Sequence, residues 1–183
     1  MILTRIQTID ERILEKISRM HSPFRNRVMK IITSLGNVGW VWFLLCLVLL
    51  SLPKYRNAGV NIIFGLLINQ VMGEGIIKHI VKRTRPCHLL DDDEQIINRP
   101  KHYSFPSGHA AASFAVSAVV LCTCKWYVFL PVLLLAALIA FSRMYLRVHY
   151  LTDVLCGAIL GFLCGLASVA LYQNFLQSTF NFS

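Results

Sequence analysis

The chain has 183 residues, 56% of them hydrophobic and only 15% charged, with a mean hydropathy of +0.59. Soluble domains are closer to one-quarter charged, so the surplus apolar surface has to face lipid. Eighteen Lys and Arg against nine Asp and Glu leave a net charge of +9; at this hydropathy a nucleic-acid binder is excluded, and the basic groups meet anionic headgroups or converge on an anionic substrate.

At the N-terminus Ile2, Ile6, Ile9, Ile13, Ile17 and Met20 recur at three- and four-residue steps, with Arg5, Asp10, Glu11, Arg12, Glu15, Lys16 and Arg19 at the other positions. This pattern predicts an amphipathic helix lying on a membrane surface. Arg5 and Asp10 interrupt the start before any apolar core develops, so no cleavable signal peptide is expected. Ser22-Pro23 predicts a cap and first-turn proline for a second short helix over 23–35. Five apolar segments follow, at 36–52, 57–77, 105–124, 126–142 and 149–172. Each is near the length of a membrane-crossing helix, the first and fourth at its lower limit. The expected fold is all-α: a polytopic membrane helical bundle of about five transmembrane helices plus N-terminal amphipathic helices. It forms a single membrane-embedded domain over 1–183, with interfacial helices at 1–35, a transmembrane core at 36–172 and a tail at 173–183. The cysteines lie mostly in apolar runs with no CxxC pair, and are read as packing residues.

Polar groups at membrane depth are costly and each asks for a reason. In the second apolar segment Gln70, Glu74 and Lys78 follow at four-residue steps, near Asn61, Asn69 and Gly73. Asn61 and Asn69 are read as hydrogen-bonding glue between helices, and Glu74 as the i,i+4 partner holding Lys78. His149 opens the fifth segment, with Asp153 four residues on; one turn apart, the carboxylate would fix the imidazole tautomer and leave one ring nitrogen free. Gly157, Gly161 and Gly165 continue that face as a packing ladder. Pro106-Ser107-Gly108-His109 reads as a helix start with accessible N–H groups suited to an anion. The acidic run Asp91-Asp92-Asp93-Glu94 is read as a solvated loop, not a metal site.

Alternating the five spans brings Lys78, Arg85, His109, Arg143, His149 and Asp153 to one side of the membrane, with the third and fourth spans turning near Lys125. Independent snorkelling would spread the cations over both ends; convergence is what an oxyanion site requires. Fixed cations and helix N–H donors would neutralise a phosphoryl group, one histidine oriented by Asp would attack phosphorus, and a second would protonate the leaving oxygen.

K-x6-R-P (Lys78, Arg85, Pro86), P-S-G-H (Pro106 to His109) and S-R-x5-H-x3-D (Ser142, Arg143, His149, Asp153) together resemble the three-part signature of the type 2 phosphatidic acid phosphatase superfamily, in order and complete over 78–153. The resemblance implies that His149 is a nucleophile forming a phosphohistidine, Asp153 its orienting partner, and His109 the acid on the leaving group and later the base on water. It implies that Lys78, Arg85, Ser107, Gly108 and Arg143 hold the phosphate, with no metal and no cofactor. The size and lack of extra domains look like the bacterial enzymes that dephosphorylate undecaprenyl diphosphate or phosphatidylglycerophosphate. Many bacterial members of the family look six-spanned, whereas the amphipathic 1–20 helix and the 23–35 helix stand here in place of a first span.

The expected partners are a lipid phosphate substrate and membrane lipids, with no nucleic acid and the oligomeric state open. The alternative is a non-catalytic lipid-phosphate binder or flippase, against which the His149/Asp153 pair weighs, since binding alone needs no oriented imidazole. By these spans 15 of the 18 Lys and Arg lie on the site side, which by the positive-inside rule points to the cytoplasm. The resemblance implies the outer face of the plasma membrane, and that is the expectation adopted for this multi-pass protein.

Overall fold

The computed structural model describes residues 2–91 and 94–176, and every regular element among them is helical. Two helices lead: α1 (Ile2–Ser18) and α2 (Pro23–Leu35), the latter capped by Ser22, whose hydroxyl accepts from the Arg25 N–H with Pro23 in the first turn. An elbow at 36–39 then bends the chain by 47° into α3 (Trp40–Ser51). Val38 and Gly39 both take positive φ there, which breaks the helical hydrogen-bond run. After a short 3-10 turn, α4 (Arg56–Asn69) runs through a π-helical stretch, Gln70–Ile77, into α5 (Lys78–Val81), and ends where Lys82 turns left-handed. A loop with one 3-10 turn, Pro86–Leu89, leads to α6 (Gly108–Thr123), α7 (Trp126–Tyr145) and α8 (Leu151–Leu171), which continues into a π-helical end, Tyr172–Leu176.

Among the described residues three helical runs are long and apolar enough to cross a membrane: Pro53–Leu89, Trp126–Tyr145 and Leu151–Asn174. The bent α2–α3 pair makes a fourth if it is one span. The expected span over 105–124 is shortened, because Ser107 is an extended N-cap and helix begins only at Gly108. Its 16 residues rise about 24 Å, less than the ~30 Å of a hydrocarbon core.

That short helix is nevertheless the centre of the molecule. Ala110, Ala111, Ser113 and the unbroken stretch from Ala115 to Val120 are buried. Val116, Val119 and Val120 share an apolar cluster with Trp42, Cys46, Ile62, Ala136, Ile139 and Val169 from the surrounding helices. The outer faces are different: Leu130, Leu134 and Leu138 on α7, and Leu155, Ile159 and Leu163 on α8, stand exposed at four-residue steps. Such stripes suit lipid, and the exposed Trp126 and Tyr127 at the start of α7 suit a headgroup layer.

Two expectations change on packing grounds. Asn61 donates to the Asn57 carbonyl one turn back on its own helix, and Asn69 Oδ1 is buried with no partner among the described residues, so neither is seen to tie one helix to another. In α1 the buried stripe is Asp10, Leu14 and Ile17, while Ile6 and Ile9 are exposed. Asp10, assigned by periodicity to the charged face, is thus fully enclosed, and α1 docks on the bundle through it. The Ile2 side chain, Asp92, Asp93 and residues 177–183 of the expected tail lie outside the described residues.

The α6–α8 contact depends on glycine. A Cβ at Gly157 would stand 2.6 Å from the Ser107 carbonyl oxygen, and one at Gly161 would overlap the Ala111 carbonyl. At Gly75 the nearest atom would be 3.7 Å away, an ordinary contact. Gly161→Ala is therefore expected to destabilise the detergent-solubilised protein by about 1–3 kcal/mol, and Gly75→Ala to leave it nearly unchanged, as read by thermal unfolding.

Candidate active site

The close α6–α8 approach aligns two helix starts. The Ser107 N–H donates to the Asp153 carbonyl at 3.0 Å, joining the turn before α6 to the first turn of α8. The end of α7 comes to the same place, since the Val148 and His149 N–H groups both bond the Arg143 carbonyl, at 3.1 and 3.3 Å. His109, Arg143, His149 and Asp153 are thereby gathered at one end of the bundle.

His149 is not on the α8 helix as the four-residue spacing suggested. Tyr150 is the N-cap, and Asp153 is the third helical residue, its carboxylate accepting from the Tyr150 N–H at 2.9 Å in a capping box. The direct distance from His149 Nδ1 to Asp153 Oδ2 is 3.6 Å, too long for a hydrogen bond. The Ser104 hydroxyl lies beside both: it donates in a short bond to Asp153 Oδ2 and stands 3.4 Å from Nδ1. On the other side of the ring, Arg85 Nη1 is 2.9 Å from Nε2. A guanidinium only donates, so Nε2 is the acceptor and the ring proton sits on Nδ1, facing Ser104 and Asp153. The ring therefore presents a lone pair toward the cations.

Those cations are each held by the protein. Arg85 donates from Nε to the His102 carbonyl at 2.6 Å and from Nη1 to the Val148 carbonyl at 3.0 Å. Arg143, buried in the last turn of α7, donates from Nη1 to Thr33 on α2 at 2.5 Å. Lys78 is buried and bonds both Glu74 carboxylate oxygens, at 2.6 and 2.8 Å, the partnership expected from the spacing. His109 lies within electrostatic reach of Lys78, Arg85, Arg143 and His149. Its Nε2 is 3.0 Å from Asn37 Oδ1 in the α2–α3 elbow. The Glu74 carboxylate rests against Gly108, where a Cβ would come within 2.5 Å of Oε1.

Three buried donors at this end have no partner among the described residues: Arg147 Nε and, within the motifs, the Ser107 hydroxyl and Arg143 Nε. An unpaired buried polar group costs about 1–3 kcal/mol, so such groups mark where a polar ligand belongs. Gly108, next to Ser107, lines a cleft of about 630 Å³ together with Glu74, His109, Val38, Phe43 and Leu66. Polar and apolar side chains share this cleft, which can take an anionic group with an apolar chain attached.

Several residues here carried no signature. Ser104, Thr33 and Asn37 contact site groups from 45, 110 and 72 positions away, and no spacing announces them. Arg83 lies between the motif cations Lys78 and Arg85, and donates from Nη1 to Asp153 Oδ1 at 2.7 Å and from Nη2 to Asp10 Oδ2 at 2.8 Å. Asp10 did leave a trace, since it falls in line with Leu14 and Ile17 on one helix face. Of the acidic run, Glu94 pairs with Arg147 at 3.2 Å.

Residues 58–177 match the PAP2 superfamily. The chain is 30% identical over 173 residues to phosphatidylglycerophosphatase B of Bacillus subtilis, covering 86% of this chain and 80% of that relative. It is 29% identical over 122 residues to an undecaprenyl-diphosphatase of Sulfolobus acidocaldarius; that match takes in 67% of this chain but only 59% of the relative's length. The crystal structure of Aquifex aeolicus LpxE superposes with a TM-score of 0.78 at 26% identity, over 88% of this chain and 95% of that one. The matched stretch contains both histidines, Asp153 and the three cations of the cluster, and the chain belongs to the PAP2 superfamily.

Proposed function

We propose that the protein is a metal-independent integral-membrane phosphatase that hydrolyses a lipid phosphate or diphosphate through a phosphohistidine on His149. The observation that carries this is the His149 ring itself: its proton is turned to Ser104 and Asp153, and its Nε2 lone pair faces Arg85. Packing or binding alone would not require an imidazole of fixed tautomer, which weighs against a passive binder or flippase.

In the proposed reaction Nε2 attacks phosphorus as the bond to the leaving oxygen breaks, and imidazolium His109 gives that oxygen its proton. The incoming anion favours the protonated form of His109. Water then attacks the phosphohistidine, His109 takes its proton, and inorganic phosphate and free His149 result. Lys78, Arg85 and Arg143, with the Ser107 hydroxyl and the Gly108 N–H at the start of α6, hold the non-bridging oxygens. These fixed cations supply the charge neutralisation that a metal supplies elsewhere, so no metal or cofactor enters the scheme. Asp153, through Ser104, keeps the proton on Nδ1 and steadies the charge that develops on the ring.

The cleft supports a lipid substrate. From His109 it extends past the elbow to Phe43 on α3, which is itself exposed on the outer surface. A phosphate at the site would leave an attached tail pointing toward lipid. Undecaprenyl diphosphate and phosphatidylglycerophosphate or phosphatidic acid are the proposed substrates, the first two by analogy with the relatives' names. In the membrane we assign five crossings, α6 being short because neighbouring helices enclose it. We place the site on the outer face of the plasma membrane, as the family resemblance implies.

Purified protein in EDTA should release phosphate from one or more of these lipids, and His149→Ala should lower that rate by about a thousandfold or more; undiminished turnover in the variant would remove His149 as the nucleophile. Arg143→Ala should also slow release, by tens-fold or more as expected for a lost charge on the transferring group. For sidedness, single cysteines at Lys101 and Tyr55 in a cysteine-free background should behave oppositely in intact cells. An impermeant maleimide is expected to label position 101 and spare position 55, and the reverse pattern would put the site in the cytoplasm.

A further inference from the structure

Arg83 sits where the start of α8, the loop after α5 and the N-terminal helix meet. Its Nη1 donates to Asp153 Oδ1 and to Thr152 Oγ1, both at 2.7 Å. Its Nη2 donates to Asp10 Oδ2 at 2.8 Å and to Gln7 Oε1 at 2.6 Å. Each η hydrogen thus has an acceptor, and the guanidinium lies over the Tyr150 ring at 4.0 Å. On α1, fully buried Asp10 also accepts from the Thr152 N–H at 3.0 Å and the Thr152 hydroxyl at 2.5 Å. Burying a carboxylate 142 residues away from its partner on α8 is costly, and the reaction as proposed uses neither Asp10 nor Arg83.

We propose that Asp10 is a positioning residue for the reaction: it shares the charge of Arg83 with Asp153, so that Arg83 fixes the Asp153 carboxylate without neutralising it. The inference rests on the reading of His149 as nucleophile. One guanidinium between two carboxylates leaves the trio with a net negative charge, and Asp153 Oδ2 remains a strong acceptor for Ser104 and, through it, for the His149 Nδ1 proton. Without the charge on Asp10, Arg83 faces Asp153 alone. Electron density is drawn to the Oδ1 side, Nη2 loses its anionic anchor, and the hold on the ring weakens. A simple clip between α1 and α8 would need only the Thr152 bonds, with no cation placed between the two carboxylates. The N-terminal helix is then part of the site's electrostatic support as well as a surface element.

The test uses full-length protein in detergent, carrying Asp10→Asn or the charge-retaining Asp10→Glu, with two readouts. The nitrogen resonances of the His149 ring, identified by their loss in a His149 variant, report the tautomer and need no substrate. Steady-state kinetics on a lipid phosphate report kcat and KM separately. Asp10→Asn should move the His149 ring resonances and lower kcat about tenfold with KM within about twofold, and Asp10→Glu should recover most of both. If Asp10→Asn leaves ring and kcat as in the wild type, the proposal is wrong. Equal losses in both variants with an unmoved ring would overturn it too, assigning Asp10 a structural role. Should Asp10→Asn fail to fold, Gln7→Ala, which removes the other acceptor on Nη2, is read by the same criteria. A wild type that releases phosphate from no lipid would sink the phosphatase reading, while the ring resonances would still decide the role of Asp10.

Discussion

The backbone of α8 approaches the backbone of α6 so closely that no side chain fits between them at Gly157 and Gly161. Everything at the functional end follows from that contact. It sets the Ser107 N–H on the Asp153 carbonyl and so fixes the start of α6 against the start of α8. It also explains how a helix of 16 residues can form the centre of a membrane protein. Small residues let the backbones meet without a thick side-chain layer, and the helices around α6 carry the surface exposed to lipid.

The second constraint is charge. Lys78, Arg85, Arg143, His149, Asp10 and Asp153 are all buried, and taking each from water costs free energy that must be offset locally. The structure does so in pairs and chains: Glu74 with Lys78, carbonyls with Arg85, Thr33 with Arg143, and Arg83 between two carboxylates. The balance is incomplete within the motifs, where the Ser107 hydroxyl and Arg143 Nε have no partner among the described residues. An anionic group brought there would complete the set, and the low dielectric that makes the charges costly would strengthen its binding.

The N-terminal region joins this end of the molecule by several routes. Asp10 reaches α8, Thr33 reaches Arg143, and Asn37 in the elbow reaches His109. The elbow that gives Asn37 its position also bends α2 from α3 and borders the cleft through Val38 and Gly39. Residues outside the recognisable motifs thus hold the groups inside them, and one bend serves both histidine contact and tail access.

Local pattern was enough to read the helical class, the capped start of α2, the Glu74–Lys78 pair and the residues of the three motifs, because each depends on neighbours within about one turn. The same reasoning failed where its local premise failed. The four-residue spacing puts His149 on the helix, but the chain is extended at Tyr150, and Ser104 stands beside both ring and carboxylate. Polar periodicity suggests Asn61 and Asn69 as links between helices, yet it gives a face and not a partner. Asp10 is one charge among six on α1, and only the docking of α1 on Thr152 and Arg83 shows it to be buried. Sequence by itself determined which groups make up the three motifs and which end of the bundle they share. The tertiary structure alone decided how they are held, because most of those bonds join residues from 17 to 142 positions apart and their energies depend on distances that no short-range spacing encodes.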